Sequence, residues 1–268
     1  MITSPASSRR WKPSPFIRDA RLRWALWIGA VVYLVLAFGS MDINWGRVIE
    51  GLPRGRTFVL SFFPPDFISR FDAIVEGMVE SVWMTITSAV VGVLISIPIG
   101  IGAARNLAPA PVYYLCRAIL AISRTFPEII LAIFFVKLFG FGPFAGFLAL
   151  SIGTIGFYAK LLAEDIEDMD ATQAEAVRAT GASWLQWLNY AVQPQVMPRM
   201  IGLATYRVDI NFRESAVVGI VGGGGIGATL LTAFDRYEFD SAAAILLIII
   251  AIVMGVEYSS GLIRKWVQ

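Results

Sequence analysis

The chain has 268 residues, of which 57% are hydrophobic, 13% aromatic and only 16% charged, with a mean hydropathy of +0.68. Soluble domains carry charge on about a quarter of their residues, so this composition excludes an ordinary water-soluble globule and points to a membrane protein. The net charge of +2 says little about partners, and no nucleic acid is expected; with no histidine and a single cysteine, Cys116, the commonest general base, the commonest metal ligand and a disulfide framework are all missing.

Read from the N-terminus, residues 1–23 form a basic tail in which Arg9, Arg10, Lys12, Arg18, Arg21 and Arg23 crowd together. By the positive-inside rule that tail is cytoplasmic. Ser8, Arg9 and Arg10 ahead of an apolar block invite a signal-peptide reading, but the block is long enough to span uncleaved. Apolar blocks recur at about 24–40, 75–103, 112–139, 143–163, 195–219 and 240–262. Each approaches the roughly 20 residues that cross a hydrocarbon core of about 30 Å. The period is helical throughout, and no ten-residue alternating strands suggest a barrel. The expected fold is therefore an all-α integral membrane protein of six transmembrane helices. Residues 24–73 comprise the first span and an external segment; 74–268 comprise a five-helix core. The external segment carries Phe62, Phe63, Pro64, Pro65 and Phe67, apolar enough to lie on the membrane surface or pack on the bundle. Six crossings return the C-terminus, with Arg264 and Lys265, to the cytoplasm.

The polar interval at about 164–194, between spans four and five, is the most ordered feature. Thr172 precedes Glu175 by three residues and Ser183 precedes Gln186 by three, both capping-box spacings. Gly181 lies between them, where a helix ends in a left-handed residue, and Pro194 marks where the next helix begins. The interval reads as two short helices bent at a glycine. In the second helix Trp184, Trp187, Leu188 and Ala191 form an apolar stripe. The acidic run Glu164, Asp165, Glu167, Asp168 and Asp170 disfavours an anionic lipid surface, so the stripe is expected to dock on a soluble protein.

Charges inside the spans are the other candidates, because ionised groups at bilayer depth normally face protein or water. Arg124 and Glu128 stand one turn apart on one face of span three, with Pro127 between them. They form either an internal ion pair or a helix break beside a translocation route. In span five, Asp209, Arg213 and Glu214 are either solvated at the outer interface or face the bundle axis, where Arg213 would meet an anionic substrate. Glu257 is expected to pair with Arg264 and Lys265. Gly222, Gly224 and Gly227 satisfy G-x-G-x-x-G without a βαβ context. A flexible external turn is the expectation, with a close backbone approach near the pore, at Gly223 and Gly224, as the alternative. No catalytic or metal-ligating constellation and no P-loop appear.

At Glu175-Ala176-Val177, Gly181, Ala182 and Pro194 the chain resembles the permease subunits of bacterial ABC importers, whose hallmark is Glu-Ala-Ala, three residues, Gly and a distant Pro. Within that class it is similar to phosphonate- or phosphite-type permeases over about residues 74–265. The residues carrying this are Ala104 to Leu107, Arg124 with Pro127 and Glu128, Gly142 to Gly146, Gly156 with Lys160 and Glu164, Ala179 to Ala182, Tyr190 to Arg199, and Asn211 with Arg213 leading to Gly227. Gly153 departs from the pattern, where many relatives place histidine. The resemblance implies a homodimer in the bacterial inner membrane, two cytoplasmic ATPase subunits on the coupling helices and an external binding protein. ATP and magnesium would sit on the ATPase, and this chain would bind no cofactor. The implied cargo is phosphonate, phosphite or phosphate. Glu175, Ala176, Gly181, Ala182, Trp184, Trp187 and Pro194 would couple to the ATPase; Arg124, Pro127, Glu128, Arg213, Glu214, Gly223 and Gly224 are pathway or gate candidates. An ion-coupled secondary transporter, or a permease for a different small substrate, is the alternative.

Overall fold

The computed structural model describes residue 17 and residues 19–41 and 43–267, with no side chain beyond Leu262. The expected basic tail lies largely outside these residues. The chain divides into two compact units, residues 1–58 and 59–268.

The first unit holds α1 (Ala20–Ser40) and the body of α2 (Trp45–Leu60). Asp19 caps α1, its carboxylate accepting the backbone N–H of Arg21 at 2.9 Å. That cap starts the helix four residues ahead of the expected span. All but one of the residues of α1 are exposed, among them Trp24, Trp27, Leu34 and Phe38, which suits a helix solvated by lipid rather than water.

The second unit is built from α3 (Phe71–Ala103), α4 (Ala110–Thr125), α5 (Glu128–Phe139), α6 (Pro143–Glu167), α7 (Ala171–Ala179), α8 (Trp184–Trp187), α9 (Gln193–Val218), α10 (Gly225–Asp235) and α11 (Phe239–Val267). Among the described residues there is no strand. Four helices, α1, α3, α6 and α11, are each long and apolar enough to cross a membrane; the number is up to six if two bent pairs each count as one span. The expected span at 112–139 is one of these pairs. It breaks at Phe126 and Pro127, where α4 and α5 meet at 89°. Proline lacks the N–H that would continue the ladder and biases the preceding residue toward extended backbone, so Phe126 takes φ −103°, ψ 123°. The expected span at 195–219 is the second pair: the helix runs from Trp184 to Gly223 and then bends by 57° into α10.

α3 and α6 form the centre. The buried side of α3 is made of small residues, including Gly77, Ser81, Thr85, Ser88, Ala89, Gly92, Ser96 and Gly100. Small side chains let two backbones approach closely where lipid supplies no hydrophobic drive. A Cβ on Gly92 would lie 2.5 Å from Thr154 Cβ of α6, closer than atoms pack. Two of the buried hydroxyls are satisfied within their own helices, Ser96 donating to Gly92 O at 2.6 Å and Thr154 to Leu150 O at 2.8 Å, whereas Thr85 Oγ1 has no partner among the described residues. At one end Ile74, Ile226, Leu230, Ala233 and Ile245 pack together, and Phe62 joins them, its ring 5.7 Å from that of Phe239. The external segment thus packs on the bundle from Phe62 onward. At the opposite end Leu162, Ile166, Ala174, Trp187, Val192 and Met200 form a second cluster.

Candidate functional site

The polar interval folds as an elbow. Asp170, not Thr172, caps α7: its Oδ1 accepts the N–H of Thr172 at 2.8 Å, which holds the carboxyl below the usual carboxylate range. The expected Thr172–Glu175 box is therefore corrected, since the aspartate two residues earlier already occupies the cap. Gly181 has φ +82°, the left-handed conformation that ends α7. Ser183 and Gln186 make the expected capping box, with Gln186 Oε1 accepting the N–H of Ser183 at 2.8 Å. Beyond it no new helix starts at Pro194. Leu188–Val192 widens into a π turn and carries α8 into α9 without a break. A widened turn accommodates a proline that can neither donate to the carbonyl four residues back nor pack against it.

The apolar stripe is split by this fold. Trp187 is only 3% exposed, its Nε1 donates to Ala174 O at 2.8 Å, and the Arg178 guanidinium lies 4.1 Å over its ring. Ala191 is buried as well. The expectation that Trp187 and Ala191 face a partner is corrected: they clamp α7 onto the start of α9. What the elbow leaves exposed is Glu175, Ala176, Gly181, Trp184, Leu185 and Pro194, with Ala182 half-buried. Gln195 ties the two ends together, accepting the N–H of Asp170 at 2.9 Å and donating to Ala191 O at 2.9 Å. The acidic run is largely consumed inside the chain. Asp165 pairs with Arg199 at 2.9 Å, Glu164 with Lys160 at 3.3 Å, and Glu167 with Arg117 at 2.8 Å and with the N–H of Arg105 at 2.7 Å.

A second constellation lies where α5, α6 and α9 meet. Arg207, 4% exposed in its side chain, donates from Nη2 to Glu128 Oε1 at 3.3 Å and to Glu214 Oε2 at 3.2 Å, and from Nε to Thr154 Oγ1 at 3.1 Å. Asn211 extends the network, donating to Thr154 Oγ1 at 3.0 Å and to Ser88 Oγ at 3.1 Å. Of the two alternatives for Arg124 and Glu128, the helix break is found and the pair is not, because the 89° bend at Pro127 takes the two off a common helix face. Arg124 stays exposed on α4, its stem beside Gly156, while Glu128 turns to Arg207. Arg213, half-exposed, pairs with buried Asp209 one turn back. Glu257 is exposed; the side chains of Arg264 and Lys265 lie outside the described residues. Arg207 and Thr154 are not among the residues expected from the sequence, and Asn211 enters there only through the family resemblance. Arg207, Asn211 and Glu214 recur at i, i+4 and i+7 along one helix expected to span the membrane, the signal that would have grouped them.

The glycine run is a buried joint rather than a flexible external turn. Gly223 and Gly224 are buried, and Gly222, Gly224 and Gly225 have φ of +100°, +79° and +72°. The N–H groups of Gly225 and Ile226 are taken by Glu80 Oε2 and Ser81 Oγ, both at 2.9 Å, and Gly142 N donates to Gly222 O at 3.0 Å. Backbone approaches backbone here so closely that a side chain has no room, which fits the close approach of the alternative, while the N–H groups of Gly225 and Ile226 are already bound within the chain.

A family model described as the binding-protein-dependent transport system inner membrane component matches residues 96–268. The chain belongs to this family. It is therefore an inner-membrane transport component, and the elbow and the Arg207 cluster lie within the matched residues, Ser88 excepted. The chain is 42% identical over 250 residues to the phosphate-import permease protein PhnE of Mycolicibacterium smegmatis, covering 93% of this chain and 47% of that one, so it spans about half the length of that relative. It is 38% identical to the phosphite transport system permease protein PtxC of Stutzerimonas stutzeri, covering 90% of this chain and 87% of the relative. Among solved structures, the inward-facing methionine ABC transporter MetNI superposes with a TM-score of 0.65 at 26% identity, over 73% of this chain and 96% of that one. An amino acid ABC transporter shares the fold with a TM-score of 0.62 at 18% identity.

Proposed function

We propose that the chain is the transmembrane permease of an ATP-driven importer for phosphonate or a related phosphorus oxyanion, phosphite or phosphate. Two copies pair around a central path, each crossing the membrane six times with both termini in the cytoplasm. Each bent helix pair then counts as one span. A cytoplasmic ATPase subunit grips each elbow, where ATP and magnesium are bound and hydrolysed, and an external binding protein delivers the cargo. One observation carries the reading. The elbow is internally clamped and continues without a break into α9, which brings Arg207 and Glu214 into the bundle. A push on a rigid elbow is thereby delivered as a tilt of the helix that bears the buried charges. The cargo class follows the phosphate- and phosphite-transport names of relatives 42% and 38% identical.

The ATPase is met by Trp184, Leu185, Glu175 and Ala176 around Gly181, with Trp187 acting behind them. Proteoliposomes holding the permease and its matched ATPase are expected to take up phosphite or methylphosphonate only with ATP inside the ATPase compartment and binding protein on the other face. Uptake without nucleotide, driven by an ion gradient, overturns the reading in favour of a secondary transporter. ATP-dependent uptake confined to amino acids overturns the cargo class alone.

A further inference from the structure

Gly153 lies mid-way along α6, directly beneath the contact between Glu128 and Arg207. A Cβ there would stand 2.5 Å from Glu128 Oε1, 2.8 Å from Glu128 Cγ and 2.8 Å from Arg207 Nη2. The two charged side chains therefore occupy the volume that any other residue at 153 would fill. α5 is bound to α9 by this contact, and its residue Glu128 is the first after the break at Pro127. A helix broken by 89° has lost its own ladder at the bend, so side-chain contacts decide where its second half rests. The charges also do not cancel. One guanidinium serves two carboxylates, each 28% exposed, while the guanidinium itself is 4% exposed. Glu214 sits seven residues from Arg207 on α9 and moves with it, so a tilt of α9 leaves behind Glu128, its charged partner on α5, together with the neutral hydroxyl of Thr154 on α6.

We infer that Gly153 is a positioning residue: its missing side chain seats Glu128 on Arg207, and the pair latches the broken α4–α5 helix to α9 in this conformation. Resting on the proposed importer reading, this assigns the latch a regulatory role. It holds α9 against the tilt until a loaded binding protein and the ATPase act together, and it keeps the guanidinium masked until then. An oxyanion meeting the masked cluster meets surplus negative charge; once Glu128 is withdrawn, the same cluster is neutral and presents a guanidinium, the group best suited to bind it.

Two substitutions break the same contact by different routes. Glu128→Gln removes the charge. Gly153→Ala displaces the Glu128 side chain from Cγ outward and the far end of the Arg207 side chain, and alanine is the better helix former, so α6 is not expected to weaken. The permease reconstituted with its ATPase is assayed for ATP hydrolysis without binding protein and with binding protein loaded with phosphite or methylphosphonate. Each single variant is expected to raise unstimulated hydrolysis roughly threefold to tenfold and to lower the stimulation ratio. The double variant is expected to go no further than either single one, since one contact is lost in all three. Thermal unfolding of the purified chain is expected to hold for Gly153→Ala, and Glu128→Asp is expected to recover part of the ratio. Unchanged unstimulated hydrolysis in both single variants overturns the inference, as does a double variant whose effect is the product of the two. Failure of the wild-type chain to bind or stimulate any ATPase would instead remove the importer reading, a different result on the same preparation.

Discussion

Asp170 accepts the N–H of Thr172, one of the free donors in the first turn of α7, and is exposed, so its contribution can be switched by pH without touching the core. The hydrogen bond holds its carboxyl below the ordinary value of 3.8. A carboxylate depressed on folding stabilises fully above the unfolded value, and that stabilisation is lost as pH falls through the folded one. Protection of the Thr172 amide against exchange, corrected for the intrinsic rate, should thus stay level from neutrality down to about pH 5 and fall only in stronger acid. Asp170→Asn, which keeps a capping oxygen, should abolish that acid dependence while preserving protection at neutral pH. The residue was legible in part. Ser183, Gln186 and Gly181 act within one turn of themselves and could be read from spacing, whereas two hydroxyl or carboxylate residues, Asp170 and Thr172, competed for one cap. Asp170 takes it because its own backbone is extended, φ −65° and ψ 107°, while Thr172 already lies inside the helix.

α7 and α8 are too short to be stable alone, and their order comes from Trp187. The indole is buried in one cluster with Ala174 and Ile166, bonded to Ala174 O, and covered by Arg178. Trp187→Ala is expected to cost about 3–5 kcal/mol of stability, because it opens a cavity in the inner cluster. Trp184 is 49% exposed, and Trp184→Ala should change stability by no more than about 0.5 kcal/mol while weakening co-purification of the ATPase. Denaturant titration beside pull-down separates the two; equal loss of stability in both variants would contradict the division of the stripe. The element was foreseen as helix–glycine–helix, and its two halves are found. Which tryptophan faces inward was not readable, because an apolar stripe has the same period whether it covers the chain's own core or another's.

Across the whole molecule, burial is dominated by the α3–α6 contact, while α1, α2 and much of α4 and α5 keep large apolar side chains exposed. Lipid accounts for exposure of that kind on a membrane helix, but a cluster of two carboxylates and one arginine opening to one side needs water or protein. In the proposed importer, a second copy across a shared path is expected to provide both. The purified complex in mild detergent is therefore expected to contain two permease chains per two ATPase subunits by mass measurement. A single permease chain with full transport activity would contradict the pairing.

Composition, the length of the apolar blocks, the helical period, the left-handed glycine and the capping spacings were enough to establish an all-helical membrane protein with a rigid polar elbow. Each of those signals is local, set by the backbone within a turn or by the solvent around a helix. The partner of Glu128 was not local: Arg207 lies 79 residues away, and only the bend at Pro127 and the bare backbone of Gly153 bring them together. The glycine run was equally ambiguous, since glycines that permit a loose turn and glycines that permit two backbones to touch read alike along a chain. Tertiary structure decided both, because the cost of burying a charge or an N–H depends on what stands opposite it, and that is chosen by packing.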